Sequence, residues 1–387
     1  MSTFLDHAST TPVRPKALEA YLGALAHLGN PSSVHAHGRE TRELLEQARE
    51  LLAKAADSNL AEVVFTSGGS EANNLAIKGF FWQRQVEKPR KYVISALTEH
   101  HAVIDPIEWL EKHEGAEVLW LPVDKSGQPD LETYDAWLMQ YGDEIALISL
   151  MWVNNETGAI WDIPAIAAKA SKYGIPVHSD AVAAFGHTEI SFRNSGLTAM
   201  SISGHKLGAP IGVGALIVSR SQKPISLIHG GGQERGLRSG TMNYPHALSL
   251  ATASELAVAD TVERESRLEQ LRDRLENAVL TQVPQAIKTI SGPRIGHTAS
   301  FIFPGVQSDS LLFLLDQKGV SVSAGSACQA GVLGASHVLL AMGYSEAEAS
   351  GVLRITLGHT TEEADIEAFT SVIADVYSTA VRAGLNR

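Results

Sequence analysis

Short apolar runs alternate with helical patterns from Glu62 to Val218, and this alternation constrains the fold of the chain more than any other feature. The seven apolar runs are residues 63–66, 92–95, 118–121, 145–153, 176–178, 200–202 and 213–218. The helical patterns between them include residues 70–83, 102–114, 130–140 and 163–173. Strands that are joined through helices form right-handed crossovers and lie parallel in one sheet. The sequence therefore predicts an α/β fold with a large domain built on a mainly parallel seven-stranded sheet.

The pattern changes after a long helical stretch that covers residues 245–280. Isolated apolar runs then stand between helical patterns, at residues 299–303, 320–323 and 353–357 for the runs and 308–318, 336–342 and 362–383 for the helices. This mixture predicts a second, smaller α+β domain. We place the large domain at residues 15–258 and the small domain at residues 1–14 and 259–387, where it carries the loop with Cys328.

The composition excludes several classes of protein. A formal net charge of −12 argues against the phosphate contacts on which nucleic-acid-binding proteins depend. The longest apolar runs are far shorter than the roughly 20 residues of a membrane-spanning helix, and residues 1–14 lack the pattern of a signal peptide. The one cysteine, Cys328, permits no intrachain disulfide, which fits a reducing cytoplasm. We predict no metal site, no membrane contact and no direct contact with nucleic acid.

Polar clusters follow five of the predicted strands. They comprise residues 67–71, 98–100, 154–157, 179–180 and 203–206. Because parallel sheets bind their ligands at the carboxyl ends of the strands, we expect these clusters to share one rim. The last cluster ends in Lys206. A lysine held in a dry site can lose its proton and act as an amine nucleophile, although a loop lysine taken alone is more often solvated.

Three groups at the carboxyl ends of these strands could bind a ligand. The segment 67–70, Ser-Gly-Gly-Ser between a strand and a helix, either offers N–H groups to a phosphate or is only a tight turn. Ser203, His205 and the distant Thr241 could complete a phosphate site. Asp180 lies at a buried strand end, so its carboxylate needs a cationic or N–H partner. That partner is either a ligand or a side chain of the protein in a structural ion pair. A phosphate-binding turn, a carboxylate and an amine match the phosphate, the ring nitrogen and the aldehyde of pyridoxal phosphate. A dinucleotide is disfavoured, because the first crossover does not begin with a G-x-G-x-x-G motif.

An ordered set of motifs resembles the cysteine desulfurases, which are class V aminotransferase members of the fold type I pyridoxal-phosphate enzymes. The motifs are Thr10-Thr11-Pro12, Gly29-Asn30-Pro31-Ser32-Ser33, Phe65-Thr66-Ser67-Gly68, Thr98-Glu99-His100, Val153-Asn154-Asn155-Glu156, Ser203-Gly204-His205-Lys206, residues 230–241, Gly325-Ser326-Ala327-Cys328 and Arg354. The resemblance runs from Leu5 to about Glu362. It implies a homodimer that uses pyridoxal 5'-phosphate to convert L-cysteine to L-alanine. It also implies a sulfur-acceptor protein, such as an iron-sulfur scaffold or another sulfur recipient.

The resemblance further implies a role for each site residue. Lys206 would form the Schiff base with the cofactor and then remove the Cα proton of the substrate. Asp180 would pair with the ring nitrogen, and His100 would stack on the ring and serve as an acid or base. Cys328 would accept the sulfur as a persulfide. The phosphate would be held by Gly69, Ser70, Ser203 and His205 of one subunit together with Thr241 of the partner subunit. The substrate carboxylate would be held by Arg354 and Asn155, and Asn155 is also expected to bind the cofactor.

The surroundings of Cys328 and three departures from the family pattern give further expectations. Three glycines occur in the eleven positions from Ala324 to Gly334, which predicts an accessible, mobile loop. Ala183 stands where the family usually has a glutamine at the ring oxygen of the cofactor, and Ser70 stands where threonine is common. The chain also lacks the longer tail that some relatives use to dock a scaffold protein.

Two other functions are compatible with parts of the pattern. A selenocysteine lyase or a cysteine sulfinate lyase would share the fold and most of the rim, and product formation from each substrate distinguishes them. A non-catalytic sulfur carrier or scaffold-binding protein would be expected to lack some of the catalytic residues at the carboxyl ends of the strands. The presence of Lys206, Asp180 and His100 argues against that third function.

Overall fold

The computed structural model describes residues 2–325 and 334–382 of the chain. The strands are β1 (Thr3–Phe4), β2 (Val63–Thr66), β3 (Tyr92–Ser95), β4 (Glu117–Trp120), β5 (Ile145–Ser149), β6 (Val177–Asp180), β7 (Ala199–Ser203), β8 (Gly214–Val218), β9 (Ile287–Lys288), β10 (Thr298–Ile302), β11 (Val320–Ser321) and β12 (Val352–Thr356). The helices are α1 (Pro15–Leu25), α2 (Ala36–Ala55), α3 (Gly69–Glu87), α4 (His101–Glu114), α5 (Leu131–Tyr141), α6 (Ile163–Ser171), α7 (Phe192–Ser195), α8 (Tyr244–Ala259), α9 (Thr261–Gln282), α10 (Ser308–Gln317), α11 (His337–Ala341), α12 (Glu346–Ala349), α13 (Glu363–Thr370) and α14 (Ile373–Arg382). Among these helices, none has both the length and the apolar character needed to cross a membrane.

Seven strands form one sheet in the order β2-β8-β7-β6-β5-β3-β4. The pairs from β7 to β4 are parallel, whereas β8 runs antiparallel to both β2 and β7. The reversal follows from the short connection, because only residues 204–213 separate β7 from β8 and a parallel return needs a crossover of a dozen or more residues. The predicted α/β fold with a mainly parallel seven-stranded sheet is confirmed.

Helices bury both faces of this sheet. Helices α3 and α4 form one apolar cluster with the strands, and α2, α6 and α8 form another. All five residues of β5 are buried, as expected of a parallel strand between two helical layers. The carboxyl ends of the parallel strands are left open, and the functional side chains project there.

Several predicted elements differ from the structure at their boundaries. The apolar run 145–153 leaves the sheet after Ser149, and the helical stretch 245–280 is two helices that meet at Asp260, where φ is −101° and ψ is 6°. The pattern over 362–383 is also two helices, α13 and α14. Helix α1 was not predicted, because its leucines face the solvent and leave no apolar stripe that points to the core.

Two smaller sheets stand beside the large one. β12, β10 and β9 form an antiparallel sheet, and β1 pairs in parallel with β11. Their apolar cluster includes Leu5, Leu268, Phe301, Leu353 and Phe369. The first strand therefore packs with residues that lie more than 250 positions later in the chain. The domain boundaries proposed from the sequence, at residues 14/15 and 258/259, stay predictions.

Candidate active site

A cavity of about 590 Å³ opens at the carboxyl ends of the large sheet. Nine of the residues predicted from the sequence line it: Gly69, Ser70, His100, Asn155, Asp180, Ser203, His205, Lys206 and Arg354. Ala183, the position where the family pattern has a glutamine, lies on the same wall. Thr241 is exposed and lies outside the cavity lining. Cys328 lies outside the described residues.

A candidate phosphate site forms where β2 ends and α3 begins. Gly69 starts the 19-residue helix, and a Cβ atom on Gly69 would lie 2.7 Å from Cγ2 of Val182, so only glycine fits there without a shift. The N–H groups of the first turn of α3 have no partner within the helix, and they favour an anion bound between the end of β2 and the start of α3. Ser203 ends β7 beside Gly69, because the same Cβ atom would lie 3.4 Å from the Ser203 Cβ atom. Burial and the neighbouring Lys206 lower the pKa of His205 to about 4, so a neutral imidazole is available as one N–H donor.

Asp180 is a buried carboxylate at the end of β6. Its Oδ2 atom accepts a hydrogen bond from Nδ2 of Asn73 at 2.7 Å, and its Oδ1 atom accepts one from the backbone N–H of Val182 at 2.9 Å. These bonds fix the carboxylate without using a cation. The sequence analysis missed Asn73, although its place four residues after Gly69 puts both residues on one face of α3.

His100 is the residue that caps the N-terminus of α4. Its Nδ1 atom accepts a hydrogen bond from the N–H of Ala102 at 3.0 Å, which leaves the ring proton on Nε2. Burial lowers the pKa of His100, and the nearby Asp180 only partly opposes this. In this tautomer the imidazole on the cavity wall can stack on an aromatic ring, and its Nε2–H group is the donor that remains free for a ligand.

Lys206 follows β7 in a short helical turn, Gly204–Lys206. Its Nζ atom donates hydrogen bonds to the carbonyl oxygens of Ala8 and Ser9, the second at 2.7 Å. Burial, and then the positive charge of Arg354, lower the pKa of Lys206 to about 8. The strand-end lysine is therefore a partly deprotonated amine near neutral pH, which is what a nucleophile toward an aldehyde requires.

The lowered pKa of Lys206 predicts how the cofactor-free protein captures pyridoxal phosphate. Only the unprotonated amine attacks the aldehyde, so the capture rate should rise about tenfold per pH unit and level off near pH 8. At pH 7 the free-amine fraction would exceed that of an ordinary lysine roughly 200-fold. Stopped-flow absorbance from about pH 6 to about pH 10 measures this profile. A rate that still rises above pH 9 would contradict the lowered pKa.

Arg354 lies in the middle of β12 and joins three parts of the chain. Its guanidinium donates to the carbonyl of Asn155 at 2.9 Å and to the Asp6 carboxylate at 2.8 Å. Within the described residues, Nε of Arg354 and Oδ1 of Asn155 are buried and have no hydrogen-bond partner. Because unpaired buried polar atoms are costly, these two atoms point to a polar ligand such as an amino acid.

Both flanks of the segment that carries Cys328 contact Glu156, the residue after Asn155. Ser336 donates its hydroxyl to Oε2 of Glu156 at 2.5 Å. Gly325 has a φ of +85°, and a Cβ atom there would lie 2.8 Å from the same oxygen. Gly325 and Ser336, which lie on either side of the residues that are not described, are thus both beside the cavity wall. The predicted mobility of this loop concerns residues outside the described part of the chain and stays a prediction.

The segment that ends in Thr241 is anchored to α2 and β2 by a buried ion pair. Arg49 binds both carboxylate oxygens of Glu234, at 2.8 and 3.0 Å, and Glu234 also accepts the N–H of Phe65 at 3.0 Å. Glu234 and Arg235 have φ values of 45° and 60°, which side chains rarely adopt. This strained backbone is held by the ion pair.

Comparisons with known proteins agree with this geometry. The family model described as "Aminotransferase class-V" matches residues 3–369. The chain is 45% identical to "IscS-like cysteine desulfurase" of Mycobacterium tuberculosis over 385 residues, covering 99% of this chain and 98% of the relative. It superposes on "NIFS-LIKE PROTEIN" with a TM-score of 0.90 at 31% identity, covering 98% and 100% of the two chains. For "SspA in complex with cysteine" the TM-score is 0.80 at 31% identity, covering 92% and 99%.

This chain belongs to the aminotransferase class-V family. Within that family its activity is that of a cysteine desulfurase that depends on pyridoxal 5'-phosphate. The site residues fit this cofactor, because the glycine cradle at Gly69, the fixed Asp180 carboxylate and the Lys206 amine suit its phosphate, ring nitrogen and aldehyde.

Proposed function

We propose that this chain removes the sulfur of L-cysteine, releases L-alanine and carries the sulfur as a persulfide on Cys328. One observation carries the assignment of the site: the amine of Lys206, with its pKa lowered to about 8, faces the same cavity as Asp180 and Arg354. A complex of the similar SspA with cysteine supports L-cysteine as the substrate. The sulfinate and selenocysteine lyases are not favoured, because the named relatives are cysteine desulfurases.

Three parts of the cavity would hold pyridoxal 5'-phosphate. The phosphate would bind the start of α3 together with Ser203 and His205, the ring nitrogen would face Asp180, and the ring face would contact His100. When bound, the cofactor supplies an aldehyde for amines and a ring that accepts electrons from the substrate Cα atom. Asp180 favours that role because its negative charge keeps a nearby ring nitrogen protonated.

The remaining chemistry belongs to the side chains of this protein. Arg354 and Asn155 hold the substrate carboxylate, which fixes the Cα–H bond toward Lys206. The Lys206 amine takes the Cα proton, and His100 acts as acid or base toward the substrate through Nε2, since its Nδ1 atom is engaged by the N–H of Ala102. The Cys328 thiolate then attacks the substrate sulfur. An S–S bond forms, the C–S bond breaks, and its electron pair stays on the carbon, which is protonated and leaves as L-alanine.

Product analysis tests the proposed function. Purified protein loaded with cofactor should release equal amounts of alanine and sulfide from L-cysteine when a thiol reductant is present. L-cysteine sulfinate and selenocysteine serve as the comparison substrates. A kcat/KM for either of them that greatly exceeds the value for L-cysteine, with no sulfide from L-cysteine, would replace the proposal by the corresponding lyase.

An apolar surface on one side of the molecule supports the proposed homodimer. Leu18, Leu22, Leu25 and Leu28 are spaced along and just after α1, and their exposed fractions are 44%, 57%, 53% and 78%. Contiguous exposed leucines are unusual on a monomer and mark interaction sites. Thr241 lies outside the lining of its own cavity, so in the proposed dimer it would reach the phosphate bound in the other subunit.

A heterodimer experiment tests the shared site. Chains with Lys206→Ala are mixed with chains with Thr241→Val, and verified heterodimers are assayed with L-cysteine. If Thr241 acts across the interface, both lesions fall in one site, the other site is intact, and about half of the wild-type activity returns. Heterodimers of Lys206→Ala with wild type give the reference value. Heterodimers without activity, where the Thr241→Val homodimer is itself strongly impaired, would show that Thr241 acts within its own chain.

The proposal includes a cytoplasmic location and a sulfur-acceptor protein. A single cysteine used as a persulfide carrier requires a reducing environment, where the thiol stays free between turnovers. A persulfide is passed on by thiol attack, so the acceptor would be an iron-sulfur scaffold or another recipient with an accessible thiol.

A further inference from the structure

A second group of titratable side chains, His187, Glu265 and His297, borders the cavity but takes no part in the proposed reaction. His187 and His297 line the cavity wall, and Glu265 lies behind them on α9. Nδ1 of His187 lies 2.9 Å from Oε1 of Glu265, and Nδ1 of His297 lies 3.0 Å from Oε2. The two imidazole rings are 4.3 Å apart between centroids.

We propose that His187, Glu265 and His297 bind one divalent transition metal ion, with Zn²⁺ as the ion that best suits this donor set. Two imidazoles and one glutamate form a known three-ligand set for zinc, and the fourth position is then filled by water or another ligand. In the described part of the chain these three residues offer ligand atoms that all lie within 4.8 Å of one another.

The distances suit ligation by one ion after a small adjustment. Two ligand atoms at about 2.05 Å from a tetrahedral zinc ion are about 3.3 Å apart. The two measured nitrogen–oxygen separations of 2.9 and 3.0 Å would therefore widen by roughly 0.3 to 0.4 Å when the ion binds. Each imidazole would bind the metal through Nδ1 in the tautomer that carries its proton on Nε2, so the tautomer in which Nδ1–H faces Glu265 would have to change.

The surroundings are compatible with a cation despite one nearby positive charge. Nε of Arg264 lies 3.6 Å from Oε1 of Glu265. That guanidinium also contacts the Asp260 carboxylate, which it shares with Arg14, and donates to the Ala257 carbonyl at 3.0 Å, so acceptors other than Glu265 engage it. The ligand side chains are 8 to 17% exposed, which shields the site, and the cavity gives an ion a path of entry.

The position of the site gives it a structural consequence. His187 follows β6 of the large sheet, whereas His297 directly precedes β10 of the smaller antiparallel sheet. A bound ion would join the two sheets through α9 and stabilise their relative position. The sequence could not show this site, because Glu265 is 78 residues from His187 and 32 residues from His297.

Metal titration of untagged, cofactor-loaded protein tests the proposal. The one thiol is first blocked with iodoacetamide so that Cys328 cannot bind the ion, and metals are removed with a chelator. Calorimetry with Zn²⁺ should give one site with a Kd below about 1 μM, and Co²⁺ should give the visible absorption of a four- or five-coordinate ion. Glu265→Gln and His187→Gln should each weaken binding about 100-fold or more.

His27→Gln is the matched control, because His27 and Glu40 form an exposed pair at 2.8 Å and belong to no three-ligand group in the described part of the chain. This variant should bind Zn²⁺ like the wild type. Cofactor absorbance and circular dichroism report whether each variant is folded. X-ray absorption of the zinc-loaded wild type identifies the ligands without any variant. The spectrum is expected to show two imidazole nitrogens bound to the zinc ion. No saturable binding, binding unchanged in folded Glu265→Gln protein, or a zinc spectrum without imidazole would overturn the proposal and leave the cluster a hydrogen-bonded contact only.

Discussion

Lys206→Ala should lower the kcat for L-cysteine by about a thousandfold or more, because the variant loses the amine that takes the Cα proton. The contacts at the start of α3 and at Asp180 are untouched, so the variant should still bind pyridoxal phosphate. The bound cofactor should then be released by denaturation. In the wild type, borohydride reduction should instead fix it covalently, and peptide mapping should locate it on Lys206.

Lys223→Ala provides the matched control, because Lys223 lies exposed in the loop after β8. Its activity and its borohydride labelling should equal those of the wild type. A pyridoxyl group on any other lysine, or substantial turnover by Lys206→Ala, would show that a different amine performs the chemistry.

Cys328→Ser should lower sulfide release from L-cysteine by more than about a hundredfold, because a hydroxyl is a far weaker nucleophile toward sulfur than a thiolate. Cofactor binding should be unchanged, and L-cysteine should still produce the spectral change of a bound substrate. Selenocysteine should still be turned over, since its selenium leaves more readily than sulfur. Sulfide assays and absorbance spectra on the same samples separate loss of chemistry from loss of binding.

Alkylation gives an independent control for this prediction. The chain has one cysteine, so iodoacetamide treatment of the wild type should reproduce the effect of Cys328→Ser, and the serine variant should be insensitive to the reagent. If Cys328→Ser keeps most of its activity toward L-cysteine, the sulfur acceptor is not Cys328 and a lyase reaction explains the activity.

The sequence predicted the features of the fold that depend on local patterns. The runs 63–66 and 92–95 match β2 and β3, because apolar strands with polar residues at both ends leave little freedom in their boundaries. The break at Asp260 was missed, because the helical pattern continues through it and packing against two different sheets ends α8 there.

The site was predictable where residues lie at or just after the end of a strand, as Asp180 and Lys206 do. Residues that act through contacts across the fold left no local signal. Asp6 holds Arg354 from 348 residues away, and the carbonyls of Ala8 and Ser9 hold Lys206 from almost 200 residues away. Such pairings depend on how the small sheets pack against the large one, and no spacing along the chain shows them.

The pairing of the first residues with the last part of the chain sets an order of assembly during synthesis. The seven strands of the large sheet lie between residues 63 and 218, so that sheet can form while the rest of the chain is still being made. Asp6 must wait for Arg354, 348 residues later. At about 5–20 residues per second, roughly 17 to 70 s pass between them. A nascent chain that still lacks β12 therefore has the large sheet and Lys206 but not Arg354, so its cavity is incomplete. The complete site can thus capture the cofactor only late in synthesis or after the chain has left the ribosome.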